Sequence, residues 1–75
     1  MSETKLVEIE DIAGRVHWVN PVHVTGIEPQ SAQAIRNSGT RCIVWVVGHA
    51  GYNTYQIRSP KSAAEVAEHI NKNYE

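Results

Sequence analysis

Residues 16–29 read VHWVNPVHVTGIEP, two apolar-rich runs, Val16 to Val19 and Val22 to Ile27, separated only by Asn20-Pro21. Proline has no N–H to give to a ladder and pushes the residue before it out of helical conformations, so the pair ends one strand and creases the chain. In the second run Val22 and Val24 share a face, and Ile27 is out of phase with them unless Gly26 forms a bulge. With a bulge there, Ile27 returns to the core side. The stretch therefore predicts two short strands on either side of a tight corner that is a fold determinant rather than a site.

Working outward, Lys5 to Glu10 alternates, with Val7 and Ile9 on one face and Glu8 and Glu10 on the other, which is the period-2 pattern of a half-buried strand. Asp11 to Gly14 turns the chain back into Arg15–Val19. On the far side, residues 29–39 (PQSAQAIRNSG) read as a loop with room for one helical turn stopped at Gly39. Thr40 to Val47 is the most β-prone stretch, and its unbroken run Cys42–Val47 predicts a central strand buried on both faces. GHAGYN, residues 48–53, is the next turn, and Thr54–Arg58 returns with Tyr55 and Ile57 on one face.

The C-terminal segment has a legible start. Ser62-Ala-Ala-Glu65 fits a capping box, with Ser59-Pro60 as an alternative start one turn earlier. Ala63, Val66, Ala67, Ile70 and Tyr74 then form one stripe at helical spacing. The expected fold is α+β, an antiparallel sheet of about five strands followed by one C-terminal helix over 60–73, in a single domain spanning 1–75 with residues 1–4 disordered.

Composition narrows the classes. The longest apolar run is far shorter than the roughly 18 residues that mark a membrane span, so no membrane partner is expected. The N-terminus has no secretory pattern and Cys42 is the only cysteine, which predicts a cytoplasmic protein with a reduced thiol. A net charge of −1 lacks the broad positive field of a nonspecific nucleic-acid binder.

Chemistry-bearing residues are sparse. His17, His23, His49 and His69 do not fall at zinc-ligand spacings, so no metal site is predicted. Cys42 opens a strand expected to be buried, where thiols are inert. Glu8, Glu10 and Asp11 read as an exposed strand face running into a turn rather than an acid/base pair. The glycines make no phosphate-binding loop, and no catalytic residue and no cofactor are predicted.

Two sets of residues carry functional expectations. A chain this short buries only about 60% of its unfolded surface, and one helix covers one sheet face. Trp45, Ile43 and Val47 on the central strand, with Trp18, are thus predicted to form a partner interface, and a homo-oligomer or another protein partner is expected. As an alternative, Arg36, Arg41, Arg58 and Tyr52 would clamp an extended nucleic acid. An enzyme is not expected.

The order of motifs, Val19-Asn20-Pro21, Ile27, a Thr40-led strand, a Tyr55-bearing strand and the helix reading SAAEVAEHIN with Ser62, Glu65 and Val66, resembles the short FlbD-like proteins of flagellar operons and similar small phage proteins. The resemblance runs from about Arg15 to Asn71, and departs where GHAGYN and the 29–39 segment are longer. It implies a strand-rich sheet with one helix, no enzymatic chemistry and a role as a small flagellar or viral accessory protein, in the host cytoplasm if phage-encoded.

Overall fold

The computed structural model describes residues 6–48 and 54–74. The expected disorder of 1–4 and most of the 48–53 turn lie outside those residues. Five strands run β1 (Val7–Glu10), β2 (Val16–Val19), β3 (Val24–Pro29), β4 (Cys42–Val47) and β5 (Thr54–Ser59), with helices α1 (Ala32–Ser38) and α2 (Ala63–Tyr74). The fold is α+β and the strand pairing is antiparallel throughout.

The expected single sheet is corrected to two. β1 and β2 form a separate hairpin, while β3, β4 and β5 form a three-stranded sheet in that order. The division falls at the Asn20-Pro21 crease. Asn20 Oδ1 accepts from the Val22 N–H at 3.0 Å, the His23 N–H donates to the Asn20 carbonyl at 2.8 Å, and Pro21–His23 completes a 3-10 turn. Beyond this turn β3 pairs with β4 and not with β2, and the second strand begins at Val24 rather than Val22. The corner carries the chain from one sheet to the other.

The predicted bulge is present: the β3–β4 register shifts between Val24 and Gly26, and both Val24 and Ile27 pack against the core. The 29–39 segment is corrected from a loop to a two-turn helix. Ser31 Oγ accepts from the Ala34 N–H at 3.2 Å to start α1, and Gly39, at φ 80°, stops it in the left-handed conformation that glycine alone adopts without a Cβ penalty. α2 starts on its capping box, Glu65 N–H to Ser62 Oγ at 3.2 Å and Ser62 N–H to Glu65 Oε1 at 3.1 Å. Ser59-Pro60 is not its start.

One core joins the elements. Val7, Ile9 and Val19 from the hairpin, Cys42, Val44, Val46 and Ile57 from the sheet, and Val66 and Ile70 from α2 are all buried in a single cluster. The hairpin and α2 thus share the same face of the three-stranded sheet. His69 ties them together, its Nε2 lying 2.9 Å from the Glu8 carbonyl. That leaves the side chains of β4 in two unequal sets, and the expectation that both faces of β4 are buried is corrected: Cys42, Val44 and Val46 are buried, and Ile43, Trp45 and Val47 are half-buried and outside the core.

Candidate functional site: the outer sheet face

Directly paired residues of antiparallel strands point to the same side, so the register defines the composition of the outer face. One cross-strand row is Glu28, Ile43 and Arg58, the next is Gly26, Trp45 and Gln56, and Val47 pairs with Thr54. The surface is an apolar stripe along the central strand, flanked by a carboxylate on β3 and a guanidinium on β5. Glu28, Gln56, Arg58 and Thr54 are exposed.

Trp45 is held in place from both ends. Its indole Nε1 donates to Glu28 Oε1 at 3.3 Å, and Thr25, the extra residue of the bulge, donates its hydroxyl to the Trp45 carbonyl at 3.3 Å. Beside it Gly26 leaves a notch, since a Cβ built there meets nothing within 4 Å. The ring therefore stands next to an open space on its own sheet. Tryptophan is among the residue types most enriched at interface anchors.

Trp18, assigned to the same interface by sequence, is placed elsewhere. It pairs with Glu8 on the outward side of the hairpin and is 62% exposed. With Leu6, His23, Val47 and Tyr55 it lines a groove of about 270 Å³ at the hairpin end. Val47 reaches both surfaces, whereas Ile43 and Trp45 line only the sheet face. Neither tryptophan belongs to the core.

The three arginines of the predicted nucleic-acid set are spread over β5, α1 and the residue before β4. Arg58 flanks Ile43 on the outer face, and its carbonyl accepts from the Ile12 N–H at 2.9 Å. The Ser62 N–H first, then the Ser62 side chain and the charges of Lys61 and Arg41, hold the Glu65 carboxyl below its ordinary value. Arg36 is in the last turn of α1. Tyr52, the fourth member of the predicted nucleic-acid set, is outside the described residues, as is His49.

Asp11 has a structural role. Asp11 Oδ2 lies 2.8 Å from His17 Nε2, and its Oδ1 accepts from the Ala13 and Arg15 N–H groups at 2.9 Å each. This carboxylate locks the β1–β2 turn, which Gly14 closes at φ 87°, and the His17 hydrogen bond lowers the Asp11 pKa. Cys42 is fully buried, and burial pushes its thiol pKa up, the opposite of what a nucleophile needs. Among the described residues no group of three His, Cys, Asp or Glu side chains is placed to hold a metal, and no helix is long and apolar enough to cross a membrane.

No family model, characterised protein or solved structure matches this chain.

Proposed function

We propose that this protein is a non-enzymatic interaction module, a small accessory factor of the phage or flagellar type working in the cytoplasm, that docks protein partners on the outer face of its three-stranded sheet. The observation that carries the reading is the division of β4. Ile43, Trp45 and Val47 stand in a row on the side away from the core, while the hairpin and α2 both bury their apolar residues on the other side. Three large apolar side chains held next to one another outside a core are the pattern of a binding surface, with Trp45 as the anchor.

The test is site-specific crosslinking from within that face. A photoreactive benzophenone amino acid replaces exposed Gln56, in the Trp45 row, and in a second variant replaces exposed Lys72 on α2. Illumination of intact cells making each variant should give discrete protein adducts from position 56 and none of the same size from position 72. No adducts from position 56, or identical patterns from both, overturns the reading.

A nucleic-acid reading has one observation in its favour, the guanidinium of Arg58 on the same face as the Trp45 ring, which is the pairing that single-strand binders use for stacking and phosphate contact. Glu28 on the opposite flank opposes it. A retarded single-stranded oligonucleotide at low salt, abolished by Arg58→Glu, would favour this reading over protein docking.

A further inference from the structure

We infer that the occupant of the outer face is a second copy of this chain, packed face to face about a two-fold axis that runs along β4 and sets Glu28 of each copy opposite Arg58 of the other. The inference rests on the reading of that face as an interface and names its partner.

The register makes the face its own complement. Glu28, Ile43 and Arg58 form one straight row across β3, β4 and β5. A two-fold rotation about an axis parallel to β4, lying in the contact plane, keeps each row at its height along the strands and exchanges left for right. The copy above then presents Arg58 over Glu28 and Glu28 over Arg58, giving two equivalent ion pairs, as isologous symmetry requires. Ile43 meets Ile43 on the axis. Any partner that must place a cation over Glu28 and an anion over Arg58 at this spacing fits, and a second copy supplies both without further assumption.

The next row is complementary in shape. Gly26, Trp45 and Gln56 become Gln56, Trp45 and Gly26 on the copy above, so each open Gly26 notch lies opposite the long Gln56 side chain of the other chain. A side chain on β3 at that row would collide where glycine leaves room. The two sheets remain close to parallel, as aligned sheet packing prefers, within about 30°.

The face is small. Three strands about 4.8 Å apart and six residues at about 3.4 Å each give a face of roughly 14 by 20 Å. That is well under the roughly 800 Å² per partner of a standard stable complex, so the association is a weak, transient one.

Charge reversal tests the geometry. Glu28→Arg and Arg58→Glu are at exposed positions, so each variant should keep the wild-type circular dichroism spectrum, which is checked first. In sedimentation equilibrium from about 10 to 500 µM at low salt, wild type should approach the dimer mass, and each single variant should associate at least about tenfold more weakly, because it faces like charges twice. Mixing the two single variants is decisive. In the mixed dimer both contacts become Arg–Glu, so an equimolar mixture should associate although neither component does alone, and the double variant E28R/R58E, which restores both ion pairs but not the Glu28–Trp45 hydrogen bond, should associate more tightly than either single variant. A mixture no more associated than its components overturns the inference, as does a wild type that stays monomeric throughout. Adducts from position 56 to other proteins, together with a monomeric wild type, would remove the second copy but leave the interface; no adducts at all would remove the interface itself.

Discussion

Ile57 and Ile43 are the same residue type on adjacent strands with side chains on opposite faces of one sheet, so truncating each to alanine measures which face is the core. Ile57 is 1% exposed, pairs with fully buried Val44 and belongs to the cluster that includes Val66 and Ile70. Its truncation deletes three carbons, each worth about 0.8 kcal/mol in transfer, plus a cavity term, for a cost of about 3 to 4 kcal/mol. A domain of this size has only roughly 4 to 11 kcal/mol in total. Ile57→Ala should therefore lower the melting temperature by roughly 12 to 32 °C, taking about 4 to 8 °C per kcal/mol for a domain of this length. Ile43 is half-buried outside the core, next to exposed Glu28 and Arg58, so Ile43→Ala leaves no closed cavity and should cost about 1 kcal/mol or less. Urea titrations followed by far-ultraviolet circular dichroism, at a few micromolar so that self-association does not contribute, give both values. Equal losses, or a larger loss at Ile43, would refute the face assignment and with it the placement of the binding surface.

Other consequences are smaller and independent. Thr40 is 3% exposed and its hydroxyl has no hydrogen-bond partner among the described residues, so Thr40→Val should be neutral or stabilising in the same titration. Pro21 sits at the first position of the 3-10 turn, and Pro21→Ala should cost about 0.4 to 1 kcal/mol, through a freer unfolded chain, without changing association. Ser62→Ala removes the acceptor for the Glu65 N–H and should cost about 1 kcal/mol, read as a lower melting temperature. Asp11, through His17 first, and Glu65, through the Ser62 N–H first, are held below their ordinary values of 3.8 and 4.5. A depressed carboxyl stabilises above its unfolded-state value and loses that contribution as pH falls through the folded-state value. Asp11→Asn/Glu65→Gln should then melt below wild type at pH 7, with the gap closing as the pH is taken below those ordinary values.

Local signals settled the local elements. Alternation in residues 5–10, the Ser62–Glu65 spacing and the glycines at 26 and 39 each depend on hydrogen bonds or side-chain parity within a few residues. The hairpin strand, the helix cap, the bulge and the helix stop were accordingly legible before any tertiary contact was known. α1 was the exception, because its cap Ser31 and two weakly apolar residues, Ala34 and Ile35, are a faint signal against a polar background. The sorting of five strands into two sheets was not local: the crease says that a strand ends, not which strand the next one pairs with.

For the binding surface the limit was sharper. Six consecutive apolar residues in β4 make both parities equally suited to burial, so the sequence alone determined that one tryptophan-bearing face was available but not which would be covered. Tertiary structure decided it, because the hairpin and α2 both close on the side of Cys42, Val44 and Val46. The same packing separated Trp18 from Trp45, and the strand register, invisible in any single segment, brought Glu28 and Arg58 to opposite flanks of one row. Composition along the chain decides which segments are apolar; only the distances closed between remote segments decide which of their faces remain open to a partner.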